Sequence, residues 1–232
     1  MTDYYRQRLS AERLQRVYQI APPRVRQYLD SETEYTLSRI HDCNDVLELG
    51  CGYGRVLAPL AEHVAAVFGI DNAWENLNLA ATVLASRPHI HLAQMDASQL
   101  AFADGAFDAV VCVQNGLAAF NVDKHVLISE ALRVCRPGGS VLFSTYAPQF
   151  WDHRLDWFRR QAAEGLLGPI DEAATGDGII VCRDGFRAGL VAPDEMKLIA
   201  DTLDLTISTT IVDESSVFYD ITVGSGSRRL SG

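Results

Sequence analysis

The segment Val46-Leu47-Glu48-Leu49-Gly50-Cys51-Gly52-Tyr53-Gly54 most limits what this chain can fold into. Residues 45–49 read as a short buried strand, and residues 55–63 carry apolar side chains at helical spacing. The glycines between them let the backbone bend sharply and meet a ligand with no Cβ in the way, at a helix N-terminus that favours negative groups. This is the opening of a nucleotide-type site. A dinucleotide fingerprint would need its third glycine at position 55, where this chain has Arg55, so the turn departs from a nicotinamide-binding pattern. Glu48 fits badly beside a pyrophosphate and well beside a cationic amino group.

Strand and helix signals then alternate: strand 65–70, helix 74–86, strands 89–94 and 107–113, helix 122–135 and strand 140–146. Such alternation predicts a parallel sheet with helices on both faces. Before the first strand, residues 10–40 predict two helices, with Ser10 as N-cap, Leu14, Val17 and Tyr18 on one face, and Pro22-Pro23 as the break. After Pro148 come an aromatic, charged helix over 150–164 and a glycine-rich loop to Gly178. A hairpin over 179–190 follows, around Arg183-Asp184-Gly185. A helix over 193–203 precedes two antiparallel strands, 205–212 and 217–223, joined by Asp213-Glu214-Ser215.

Composition removes several function classes. Twenty Lys and Arg against thirty Asp and Glu leave a net charge of -10, which repels a phosphate backbone, so nucleic acid is not the expected partner. Apolar runs such as 109–113 are far shorter than the roughly 20 residues that span a bilayer, and the polar start lacks a signal-peptide shape. A cytoplasmic protein, monomeric or homodimeric and with no membrane partner, is expected. The five cysteines form no CxxC pair and read as reduced thiols. His89 and His91 have no third ligand nearby, so no metal is expected.

Several pieces recur in the order known from one family. Glu48 to Gly54 fits E/D-x-G-x-G-x-G; Gly69-Ile70-Asp71 closes the second strand and Gln94-Met95-Asp96-Ala97 the third; Leu100 to Asp108 approaches the fourth; and Leu132 to Gly139 leads into Val141-Leu142-Phe143. As a set, residues 43–147 resemble the class I S-adenosylmethionine-dependent methyltransferases, of the small-molecule, methyltransferase domain 11/25-like type. The resemblance implies an α/β, Rossmann-like, seven-stranded mostly parallel sheet with its last strand antiparallel. It also implies S-adenosyl-L-methionine as cofactor and S-adenosyl-L-homocysteine as product. One domain over 1–223 is expected: a helical lid at 1–40, the cofactor core at 43–147, a substrate-side hairpin insertion at 148–190, and a terminal helix and strands at 191–223. A flexible tail over 224–232 completes the chain.

The resemblance also distributes roles. Glu48, Gly50, Cys51, Gly52 and Gly54 form the cofactor turn, and Asp71 accepts both ribose hydroxyls. Asp96 meets the adenine amino group while the Ala97 N–H serves a ring nitrogen. Asn72 stands where the family has an apolar residue over the adenine, and Ala73 and Trp74 follow it. Gln114 and Asn115 hold the methionine end. Asn115, Tyr5 and Tyr18 are the expected catalytic residues facing the acceptor, with Tyr4, Tyr146, Trp151 and His153 as further wall candidates. Methyl transfer is an in-line displacement, which demands positioning and dryness more than a dedicated base. The expected activity is transfer to a small-molecule acceptor; the alternative is a cofactor-binding sensor or partner subunit of the same fold.

Overall fold

The computed structural model describes residues 4–224, so the expected tail lies outside the described residues except for Gly224. The strands are β1 (Asp45–Leu49), β2 (Ala66–Asp71), β3 (Ile90–Gln94), β4 (Phe107–Cys112), β5 (Cys135–Tyr146), β6 (Ile180–Val181), β7 (Arg187–Ala188), β8 (Ile207–Val212) and β9 (Ser216–Thr222). Seven of them build one sheet in the order β3-β2-β1-β4-β5-β9-β8, and β6-β7 is the small hairpin that Asp184-Gly185 predicts. β1 to β5 pair in parallel. β9, the last strand of the chain, runs antiparallel between β5 and β8, as expected.

β4 is buried along its whole length, which explains its unbroken apolar sequence: a central parallel strand is covered on both faces. The helices are α1 (Tyr4–Arg8), α2 (Ala11–Gln19), α3 (Pro23–Ile40), α4 (Leu57–Leu60), α5 (Trp74–Val83), α6 (Gly116–Ala119), α7 (Lys124–Val134), α8 (Trp151–Ala163) and α9 (Pro193–Leu203). One face of the sheet packs Leu47, Val110 and Phe143 with Leu127 and Ile128 of α7 and Met196 and Ile199 of α9. The other packs Val46, Val67 and Val111 with Ile40 of α3, Leu57 and Leu60 of α4, and Leu77 and Ala80 of α5. A third cluster lies apart from these layers. Leu9, Val17, Tyr28, Trp157, Phe158 and Phe186 come from α1–α3, α8 and the hairpin.

Three local expectations are corrected. Residues 10–40 form the two expected helices, α2 and α3, with the short α1 before them, but Ser10, which precedes α2 with extended backbone, makes no capping bond with its side chain. The helix after the glycine turn shrinks from 55–63 to four residues. Pro59 lacks the N–H that would continue the ladder, and Glu62 and His63 close back on Pro59 and Leu60 with tighter three-residue bonds. β5 begins at Cys135 rather than at 140, because Cys135 already pairs with Phe107 and a register shift absorbs Pro137-Gly138-Gly139.

Candidate active site

The strand order reverses between β1 and β4, and at such a switch point the loops leaving the strand ends diverge and open a crevice. A cavity of about 420 Å³ occupies that place, between the glycine turn below and α2, α8 and the β6-β7 hairpin above. Tyr5, Tyr18, Glu48, Gly50, Cys51, Gly52, Asp71, Asn72, Asp96, Ala97, Gln114 and Asn115 all border it. Gly54 does not. A Cβ there would stand 2.5 Å from Leu84 Cδ1, so this glycine, at φ +88°, serves the packing of the turn rather than contact with a ligand. Of the further wall candidates Tyr146 borders the cavity, whereas Tyr4, Trp151 and His153 do not; neither does Trp74, which is 56% exposed.

The turn is shaped by its partners as much as by its glycines. Gly50 (φ +72°) has the Phe120 ring where a Cβ would be, at 2.5 Å, and Gly52 (φ +55°) has Leu14 of α2 at 3.1 Å. The roof therefore rests directly on the glycine turn. Asp71, at the end of β2, accepts the Gly52 N–H on Oδ2 at 3.0 Å, and on Oδ1 the Ala73 N–H at 2.8 Å and Asn76 Nδ2 at 3.1 Å. One carboxylate thus ties the turn to the start of α5, and Asn76 passes the connection on by accepting the Ala11 N–H at 2.7 Å. Asp96 is fixed by the Ser98 N–H and hydroxyl, both donated to Oδ1.

At the far end, Gln114 and Asn115 occupy successive left-handed conformations, φ +55° and +63°, which non-glycine residues adopt only when their surroundings hold them there. Asn115 N donates to the Ser144 carbonyl. Its side chain donates to Gly189 O at 3.0 Å and accepts the Thr145 hydroxyl at 2.8 Å. Both ends of the Asn115 amide are engaged, and they tether the loop before α9 to the end of β5. Gln114 Oε1 accepts the Tyr18 hydroxyl at 2.5 Å and Arg55 Nη2 at 3.3 Å, and the Arg55 guanidinium lies 5.0 Å from the centre of the Tyr18 ring. Tyr5 packs edge-on against Phe186 at 5.7 Å.

Arg55, Glu32, Asn76 and Phe120 were not legible as site residues. Arg55 borders the cavity and forms no ion pair within 4 Å among the described residues, although burial near Glu48 and Glu32 couples it to both. Glu48 is buried with Oε2 unpartnered, and its carboxyl is pushed up to about 8, chiefly by desolvation, with Asp71 adding to the shift and Arg55 opposing it. No group of three or more His, Cys, Asp or Glu among the described residues could hold a metal ion. Among the described residues no helix is long and apolar enough to cross a membrane.

The family described as a methyltransferase domain matches residues 46–139. The core of this chain is a class I S-adenosylmethionine-dependent methyltransferase domain. A phosphatidylethanolamine N-methyltransferase of Cereibacter sphaeroides is 41% identical over 100 residues, which cover 42% of this chain and 48% of that protein. The chain spans about half the length of the curated relatives it matches. Among solved structures, the PH0226 protein from Pyrococcus horikoshii OT3 superposes with a TM-score of 0.67 at 18% identity, covering 96% of this chain and 99% of that one. The N-methyltransferase NodS from Bradyrhizobium japonicum WM9, in complex with S-adenosyl-l-homocysteine, gives a TM-score of 0.56 at 18% identity, covering 87% and 88%.

S-adenosylmethionine is the cofactor of this domain, and the cavity's donor set fits it. Acidic side chains at the ends of β2 and β3 suit a ribose diol and an exocyclic amine. Glu48, with a buried oxygen unpartnered among the described residues, suits an ammonium, and Arg55, held to Gln114 by a long hydrogen bond, suits a carboxylate.

Proposed function

We propose that the protein transfers a methyl group from S-adenosylmethionine to a small-molecule acceptor held beneath α2, α8 and the β6-β7 hairpin. The observation that carries this reading is the roofed cavity of about 420 Å³ that runs from Asp71 and Asp96 past Glu48 and Arg55 to the rings of Tyr5, Tyr18, Tyr146, Trp157, Phe158 and Phe186. A volume of this order lies in the range of small-ligand sites. The net charge of -10 agrees with an acceptor other than nucleic acid.

In this reading Asp71 and Asp96 orient the nucleoside, while Glu48 and Arg55 clasp the amino and carboxylate groups of the methionine end. When bound, S-adenosylmethionine supplies a methyl group activated by a sulfonium sulfur. The residues of the chain align and dry the site. Tyr18, held by Gln114, and Tyr5, held by Phe186, wall the acceptor side, and the aromatic roof excludes water from the displacement. α1–α3 act as the lid and the hairpin as the substrate-side insertion. Incubation with methyl-labelled cofactor and pooled small acceptors, beside protein and RNA fractions, tests the proposal. Label in a small product is expected, and label confined to the macromolecular fractions defeats it.

Arg55→Met is expected to weaken S-adenosylhomocysteine binding by about 10- to 30-fold, the scale of a lost charge-assisted hydrogen-bond pair, roughly 1.5–2 kcal/mol. Binding of 5′-methylthioadenosine, which has no carboxylate, should stay unchanged. Equal losses for both ligands in titration calorimetry would move Arg55 away from the amino-acid end.

Glu48 makes cofactor binding pH-dependent. The free protein holds this carboxyl protonated below about 8, whereas an ammonium partner needs the carboxylate, so binding expels a proton in that range. Affinity for S-adenosylmethionine is expected to rise with pH by up to about tenfold per unit, 1.4 kcal/mol, through neutrality and to pass a maximum near 8, where Glu48 ionises and the ligand's own α-ammonium begins to lose its proton. Glu48→Gln should flatten the profile. Calorimetry at neutral pH in buffers of different ionisation enthalpy reads the released proton directly, and a buffer-independent heat would exclude the linkage.

A further inference from the structure

Glu32 lies on α3, outside every cofactor motif, yet it is the hub of a buried polar cluster behind the cavity. It is 1% exposed; its Oε1 accepts the Ser144 hydroxyl at 2.6 Å and the Ser216 hydroxyl at 3.1 Å, and its Oε2 has no partner among the described residues. Burying a carboxylate at the junction of a helix and two strands is costly, and burial raises the pKa of this one. A core position filled only for packing would take an apolar side chain at far lower cost.

What Glu32 touches gives it a use. The Ser144 hydroxyl that donates to Glu32 accepts the Gln114 N–H at 2.7 Å, and the Ser144 carbonyl accepts the Asn115 N–H at 3.1 Å. A hydroxyl has one hydrogen. With that hydrogen committed to Glu32, a lone pair of Ser144 Oγ is left facing Gln114, so the carboxylate fixes the direction of the serine as an acceptor. Gln114 and Asn115 are the two consecutive left-handed residues at the end of β4, and their conformation depends on having both N–H groups taken up. The Gln114 side chain in turn holds Tyr18 and Arg55.

We infer that Glu32 is a positioning residue for the cofactor: through the Ser144 hydroxyl it locks the strained Gln114-Asn115 turn, and so sets the backbone and the Arg55 side chain that receive the amino-acid end. The inference rests on the proposed placement of that end beside Glu48, Arg55 and Gln114. It requires that loss of Glu32 harm recognition of the amino-acid end and spare recognition of the nucleoside.

The test compares S-adenosylhomocysteine with 5′-methylthioadenosine, which shares the nucleoside and sulfur but lacks the amino-acid end, by titration calorimetry on the full chain. Glu32→Ala is expected to weaken S-adenosylhomocysteine by about tenfold or more, the scale of a buried donor left without its acceptor, and methylthioadenosine by less than about twofold. Glu32→Gln keeps an oxygen for Ser144 and should restore S-adenosylhomocysteine to within about threefold of the unaltered protein. Ser144→Ala leaves Glu32 in place and removes only the link, so it reports even if Glu32→Ala does not fold, and the same ligand-selective loss is expected from it. Equal losses for both ligands in Ser144→Ala, or undiminished S-adenosylhomocysteine binding in a folded Glu32→Ala protein, would overturn the inference. An unaltered protein that binds the two ligands equally would instead overturn the placement of the amino-acid end.

Discussion

Asp71→Ala is expected to cut affinity for S-adenosylhomocysteine by about 100-fold or more, some 2.7 kcal/mol, through the loss of hydrogen bonds to a charged acceptor. The structure adds a second effect that the ribose contact alone does not require. The same carboxylate accepts the Gly52 and Ala73 N–H groups and Asn76 Nδ2, so the alanine variant leaves buried donors at the glycine turn without partners. At roughly 1–3 kcal/mol for each orphaned donor, less whatever water enters the space, stability should fall by about 2–4 kcal/mol. Asp71→Asn keeps the shape but turns an NH₂ group toward one of those donors, and it should lie between the two proteins in both properties. Calorimetric titration and urea unfolding on the same samples measure both. A folded alanine variant with unchanged affinity would remove Asp71 from the site, and unchanged stability would mean that the turn does not depend on it.

Trp157→Ala should be the most destabilising single change in the roof. The indole is 1% exposed, donates Nε1–H to Val17 O at 3.0 Å, and lies against Tyr18 and Phe158 at ring separations of 6.1 and 6.0 Å. Truncation leaves a void between α8 and α2 and deprives the Val17 carbonyl of its donor, at a cost of about 3–5 kcal/mol. The remaining bonds between these elements, from Arg13 to Gly165 O and Leu166 O and from Arg16 to Glu164, are largely exposed, and such pairs offset about 1 kcal/mol at most. With α2 loosened above Gly52, release of S-adenosylhomocysteine should also accelerate. Denaturant midpoints and stopped-flow displacement follow the two consequences. A midpoint equal to that of the unaltered protein would show that the third cluster contributes little to holding the roof.

The elements that were legible in the sequence share a local cause. The β1-turn opening, the Asp184-Gly185 hairpin and the antiparallel pair around Asp213-Glu214-Ser215 are specified by periodicity and turn chemistry within about ten residues, and each appears where expected. The shortened α4 departs from the expected helix over 55–63 because helical spacing of apolar residues continues through a segment whose hydrogen-bond ladder does not. Asn115 was read for its position after β4. Its amide instead reaches Gly189 and Thr145, which lie 74 and 30 residues away in the chain.

Charge burial marks the boundary between the two kinds of information. By itself the sequence determined the strand–glycine–helix opening, the order of the cofactor motifs and the acidic residues at the ends of β2 and β3, since each follows from the chemistry of a short segment. Nothing near Arg55 or Glu32 in the chain distinguishes either from an ordinary solvated charge on a helix or turn. Glu32 becomes a buried acceptor only because Ser144 of β5 and Ser216 of β9 are brought against α3, and Arg55 becomes a cavity cation only because Tyr18 of α2 lies against it. Tertiary structure alone decided which charges lost their water: desolvation depends on everything within a few ångströms in space, and those neighbours come from segments far apart in sequence.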